Sequence, residues 1–210
     1  MTTRKLFSER TLFFVIQLFF LYDIMVPLSG IEAMTSSRTE CAVVIDGSLD
    51  EPCWQRVADV SELLITYSPS FGEHQPFKTE LWLAHDSERL YFAVRACDPE
   101  PGLIKSSITK RDNIDADDWV AVSLEPTGGR QNALVLMVNP DGIQGDKHES
   151  AFGTDVSADY VWNSAASRTD EGFDVEICVP LKSIRFRSGR DVAVNLLLMR
   201  HVARLGSKAC

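Results

Sequence analysis

IDGSLDEPCW, Ile45 to Trp54, decides how this chain is read. Val43, Val44 and Ile45 form a β-branched run that predicts a strand over 42–46. Asp46-Gly47 breaks it, because glycine accepts the positive φ of a tight turn. Asp50 is placed to cap a helical turn over 51–58, with Glu51 and Pro52 in its first positions. Trp54 then delivers a large apolar ring to the sheet that follows.

Outward from that stretch the chain reads as short strands between turn signals, the pattern of an antiparallel β-sandwich. Further strands are expected over 60–67, 78–85, 89–97, 118–125, 132–139, 143–149, 159–167, 172–179 and 191–200. Alternation is clear in three of them. Leu90, Phe92, Val94 and Ala96 oppose Tyr91, Ala93, Arg95 and Cys97. Val120, Val122 and Leu124 oppose Trp119, Ala121 and Ser123. Phe173, Val175, Ile177 and Val179 oppose Asp174, Glu176 and Cys178. One packed face and one wet face are expected for each sheet. Segments 68–77 and 99–117 read as loops, and 181–184 as a short helical turn.

The first 33 residues read as a secretory signal. Arg4, Lys5 and Arg10 make a basic start, Leu12 to Leu21 is an apolar run broken only by Gln17, and Ala33 offers a small-residue cleavage site. The run is short for a membrane span, and Asp23 and Pro27 interrupt it. The expected organisation is a signal peptide over 1–33 and a sandwich over 34–210. The expected location is outside the cytoplasm: periplasmic, outer-membrane-associated or extracellular.

The 210 residues carry a net charge of −9. Basic and acidic residues balance within the leader, so the whole excess belongs to the mature part. An acidic domain argues against nucleic acid and against anionic membrane surfaces, and suits neutral sugars or cations. The five cysteines contain no C-x-x-C, the four histidines lie far apart, and no zinc motif emerges. Cys97 and Cys178 read as small buried hydrophobes in strands.

Four further blocks accompany the opening stretch: DSERLYFAVRACD (Asp86 to Asp98), DADDWVAVSLEP (Asp115 to Pro126), VNPDG (Val138 to Gly142) and EGFDVEICVPLKSIRF (Glu171 to Phe186). In this order they resemble the family-9 carbohydrate-binding modules, a type also found at the front of outer-membrane proteins with a C-terminal barrel. The resemblance implies a non-catalytic carbohydrate-binding domain of an exported protein, with a plant-type polysaccharide or oligosaccharide as partner. Two alternatives remain: a structural or interaction module without sugar affinity, and an accessory part of a glycoside hydrolase whose activity resides in another domain. Family members continue past Met199 with at least one more strand, so a missing last strand and a bare sheet edge, open to association, are expected.

Sugar recognition needs aromatic faces for pyranose C–H groups and polar side chains for hydroxyls. Trp82, Trp119 and Trp162 are the aromatic candidates, with Asn163, Arg95 and Glu176 as polar ones. In the resembling family one stacking tryptophan precedes the acidic strand. Here that place reads Arg111-Asp112-Asn113-Ile114-Asp115-Ala116, with no aromatic. Asp112, Asp115, Asp117 and Asp118 offer oxygen ligands for Ca²⁺, although their spacing lacks the Gly and the terminal Glu of an EF-hand. No catalytic residue is assigned, because no nucleophile elbow, phosphate loop or His-based motif occurs.

Overall fold

A computed structural model describes residues 11–16, 32–127, 132–186 and 191–210. The expected signal peptide falls mostly outside them. The strands in chain order are β1 (Thr11–Ile16), β2 (Glu32–Thr35), β3 (Ser37–Arg38), β4 (Val60–Ser68), β5 (His74–His85), β6 (Arg89–Cys97) and β7 (Trp119–Glu125). They continue as β8 (Asn132–Val138), β9 (Gln144–Ser150), β10 (Gly153–Asp155), β11 (Asn163–Thr169), β12 (Gly172–Pro180), β13 (Asp191–Val202) and β14 (Ser207–Ala209). Helical structure among the described residues is limited to three short 3-10 turns, one of them Leu181–Ser183.

Two sheets stack. One runs β10-β9-β8-β7-β13 and the other β4-β5-β6-β12-β11, and β14 joins them by pairing with both β13 and β4. All pairings are antiparallel except β1 with β13 and β3 with β5. The chain is therefore an antiparallel β-sandwich. The three alternations point as expected: Phe92, Val94, Val120, Val122, Val175 and Ile177 all enter the core between the sheets. Branched side chains on a pleated surface interlock with little loss of rotamer freedom, which is why these positions carry Val, Ile and Phe.

The outer faces are not simply wet. On the β5-β6-β12 sheet, Trp54, Trp82, Ala84, Tyr91, Ala93 and Cys178 form a second buried cluster, with Val43, Ile45 and Cys53 packed against it. The segment 43–58 lies over that face. On the other sheet, Ile114, Trp119, Ala121, Val135, Met137 and Met199 form a third cluster, under the loop that contributes Ile114. Each loop covers apolar surface that alternation alone assigns to solvent.

The expected strand over 42–46 does not form, and the helical turn over 51–58 shrinks to one hydrogen-bonded turn over 52–54, closed by Trp54 N–H on the Glu51 carbonyl at 2.9 Å. Side chains take the amide groups that a ladder would use. Val44 N–H donates to Glu51 Oε1 at 3.0 Å, and Asp46 N–H to Glu176 Oε2 at 3.0 Å. Asp46 closes the Asp-Gly turn as expected, its Oδ1 accepting Ser48 N–H at 2.8 Å. Gly47 has φ +88°, and a Cβ there would stand 2.7 Å from the carbonyl carbon of Ala166. The Asp-Gly pair is thus required by a close backbone approach as well as by the turn.

Strand β5 starts at His74, earlier than expected, because Gln75 is fully buried and donates to Ser207 near the end of the chain. Strand β11 starts at Asn163, later than expected, because Tyr160 N–H is taken by Asp146 Oδ2 at 2.7 Å. Strand β13 is partnered on the side away from β7, in part by β1 from within the segment read as the signal peptide. Strand β1 pairs in parallel with Asp191–Leu196, and β14 pairs with Arg200–Val202.

Candidate functional site

The free edges of the two sheets, β9-β10 and β11, meet along one side of the sandwich, and polar side chains bridge them. Gln144, Asp146 and His148 alternate on β9 with residues opposite Val138, Leu136 and Leu134, so they share the inward face of the sheet. Gln144 Nε2 donates to Ser164 Oγ on β11 at 3.0 Å. Arg111 enters from the 99–118 loop and ties this seam together. Its Nε donates to Asp146 Oδ1 at 2.8 Å, Nη1 to Gln144 Oε1 at 2.6 Å, and Nη2 to the Tyr160 carbonyl at 3.1 Å. The guanidinium lies 5.7 Å above the Trp162 ring, close enough for a cation–π contact.

The two partners differ in exposure. The Asp146 side chain is fully buried, whereas about a third of the Arg111 side chain, 34%, meets solvent. Asp159 adds a carboxylate 3.6 Å from Arg111 and is itself exposed. The seam therefore presents a planar guanidinium, an amide, a hydroxyl and carboxylates over a buried indole. These groups match the alternating donors and acceptors of a sugar. The Trp162 Nε1 is buried and makes no hydrogen bond within the protein.

Of the residues expected from sequence, the seam gathers Trp162, and Asn163 follows it at the exposed start of β11. The others lie elsewhere. Trp82 is on the outer face of the β5-β6-β12 sheet, where its Nε1 donates to the Arg56 carbonyl at 2.9 Å. Arg95 stands 5.8 Å over that ring and forks onto Asp174 with two 2.9 Å bonds. Trp119 belongs to the opposite outer face, stacked near His201 with centroids 5.4 Å apart. Trp82, Trp119 and Trp162 are 6%, 2% and 5% exposed, so none offers an open ring face.

Glu176 is fully buried on β12. Its Oε2 accepts Asp46 and Gly47 N–H at 3.0 and 2.9 Å, and its Oε1 accepts Trp54 Nε1 at 3.0 Å. Burial pushes this carboxyl up to about 7 against the opposing pull of the three N–H donors. Both oxygens are spent on the protein itself, which makes Glu176 the knot of the opening segment.

The four aspartates proposed for Ca²⁺ do not converge. Asp117 turns inward and accepts Ser107 N–H, Ser107 Oγ and Asn139 Nδ2. Asp118 accepts Lys105 N–H at 2.9 Å, and burial raises its pKa. Asp112 sits at φ 69° and accepts Asp146 N–H, while Asp115 is exposed. Among the described residues no group of acidic, His or Cys side chains could hold a metal ion. Asp117 and Asp118 order the loop by accepting its amides.

Sequence reading missed Arg111, Gln144, Asp146 and Tyr160. A lone arginine opening the acid-rich run RDNIDADD was the available signal, because such an arginine has carboxylates to choose from. Its partner Asp146 lies on a strand whose edge position cannot be read from alternation.

No family model matches the chain, and no curated protein matches its sequence. Solved structures do match. A family-9 carbohydrate-binding module from Caldicellulosiruptor kristjanssonii, in complex with glucose, superposes with a TM-score of 0.56 at 16% identity, covering 83% of this chain and 81% of that one. The module of that organism in complex with cellotriose gives 0.56 at 14% identity, over 83% and 80%. A carbohydrate-binding protein of Bacteroides uniformis, so described provisionally, gives 0.55 at 9% identity, over 83% and 85%. With strand order, core and comparisons in agreement, the chain has the fold of the family-9 carbohydrate-binding modules.

Proposed function

We propose that this chain is a non-catalytic carbohydrate-binding domain of an exported protein, and that the seam around Arg111 is where a sugar is held. The observation that carries the reading is the set Arg111, Gln144, Ser164 and Asp159 over Trp162. It supplies hydroxyl-binding groups at the open side of a fold shared with modules bound to glucose and cellotriose. The basic start and apolar run of residues 1–33 support export. The seam is built from ion pairs and side-chain hydrogen bonds, groups suited to binding hydroxyls rather than to attacking a glycosidic bond.

Calorimetric titration of the chain with glucose, cellotriose and soluble xylan tests this. Saturable heat that disappears in Arg111→Lys, with the fold retained, supports the reading. No heat from a folded protein removes it.

One observation favours a second reading, an interaction module without sugar affinity. Phe152 is fully exposed in the β9-β10 turn, and Val156 and Val161 are largely exposed in the segment that follows. Exposed apolar side chains this close in sequence are a feature of docking surfaces.

A further inference from the structure

We propose, on the reading that the Arg111 seam holds a sugar, that the ligand is an extended glycan chain and that Phe152 stacks on a unit several places along from the one at Arg111. Both residues belong to one edge of β9. The loop carrying Arg111 takes the first half of that edge. Asp112 N–H donates to the Gln144 carbonyl at 3.0 Å, and Asp112 Oδ1 accepts Asp146 N–H at 2.8 Å. Strand β10 takes the second half, with Asp155 opposite His148 and Gly153 opposite Ser150. From Asp146 to Ser150 the strand rises about 13 Å, and Phe152 lies past its end. Arg111 and Phe152 therefore stand at opposite ends of one line.

The hairpin tip presents the phenyl ring. Phe152 is fully exposed, and its turn is ordered: Ser150 Oγ accepts Phe152 N–H at 3.2 Å and donates to the Gly153 carbonyl at 3.1 Å. Ala151 and Gly153 on either side are too small to cover it. Among the described residues no other aromatic has its whole ring in solvent. The four tryptophans are buried, and Phe71, in the loop between β4 and β5, is 44% exposed. A phenyl ring held in water adds nothing to the fold, and its open faces suit the C–H face of a pyranose.

The chain after the tip returns to the seam. Tyr160 N–H donates to Asp146 Oδ2 at 2.7 Å, and the Tyr160 carbonyl accepts Arg111 Nη2 at 3.1 Å. Phe152, Val156 and Val161 are exposed along this return, with Asp155, Ser157 and Asp159 exposed among them. Apolar and oxygen-bearing side chains thus mix from the tip to Arg111. A glycan chain offers the matching mixture of C–H faces and hydroxyl edges. Grouped exposed apolar side chains mark binding surfaces. Continuity with the polar seam favours a glycan over a protein partner as their occupant.

Calorimetric titration of the full chain with glucose and with cellohexaose, for wild type, Phe152→Ala and Phe152→Trp, tests this. The wild type should bind cellohexaose about tenfold or more tighter than glucose, and in Phe152→Ala that ratio should fall about tenfold, the scale of one stacked ring. Phe152→Trp should keep the wild-type ratio. Circular dichroism checks that each variant is folded. A ratio that is the same in wild type and Phe152→Ala overturns the proposal and leaves the seam reading standing. Equal affinity of the wild type for the two sugars does the same. If the folded wild type binds neither sugar, the seam reading falls and the proposal falls with it.

Discussion

The Glu176 carboxylate accepts the indole N–H of Trp54 at 3.0 Å across 122 positions of sequence, and this bond fixes the opening segment to the middle of a sheet. The same carboxylate holds the Asp46-Gly47 turn by two backbone N–H groups. One buried side chain thus organises the whole stretch from Ile45 to Trp54. Hydrogen bonds to a charged acceptor are worth more than neutral ones, and buried donors left unpaired are costly.

Glu176→Ala orphans three N–H donors and opens a cavity under the turn. The expected loss of stability is about 3 kcal/mol in urea denaturation. A loss below about 0.5 kcal/mol, typical of a surface change, would show that the knot is dispensable.

The same carboxyl makes stability depend on pH. Its pKa is higher in the folded state, about 7, than the usual 4.5. The folded state therefore binds the proton more tightly. That contribution is fully present below about pH 4.5 and is lost as pH rises through about 7. Melting temperature should carry a component that falls across this window, and Glu176→Gln, neutral throughout, should lack it. Parallel pH profiles for the two proteins would contradict the assignment.

Gly47→Ala tests the close approach of the turn to β11. The added methyl must occupy a φ of +88° and a position 2.7 Å from the Ala166 backbone. Two penalties combine, for an expected loss of about 2–4 kcal/mol. Gly153→Ala, with φ +127° but open space around its Cβ, should cost less. Thermal denaturation of the pair separates strain from clash.

Trp82 and Trp119 are predicted to support the fold without touching a ligand. Each is buried on an outer face, Trp82 with its indole N–H committed to Arg56. Alanine at either position should cost about 3 kcal/mol of stability, in the range of large core truncations. Substitution by Phe should preserve any sugar affinity that the wild type shows. Calorimetry on Trp82→Phe and Trp119→Phe checks this, and loss of affinity by a folded variant would move the site to that face.

Much of the sandwich was legible because alternation reports which side chains share a face. Leu90, Phe92, Val94 and Ala96 needed no tertiary information to be placed in the core. The strand expected over 42–46 was misread because side-chain acceptors, Glu51 and Glu176, take amides that propensity assigns to a ladder. Trp119 faces outward as alternation assigns, and the loop carrying Ile114 covers it; Trp82 lies under the 43–58 segment, and Trp162 packs in the core between the sheets. Alternation says which way a ring points and nothing about what covers it. The seam was the least legible part. Arg111, Asp146 and Tyr160 meet where two sheet edges approach, and no local pattern encodes that meeting.

The central claim is tested most directly by a nitrogen-resolved NMR titration of the folded chain with cellotriose. The account predicts saturable shifts at the Arg111 side chain and the Trp162 indole N–H, with the Trp54 indole N–H on Glu176 unmoved. No shifts from a folded protein, or shifts confined to Trp82 or Trp119, would contradict it.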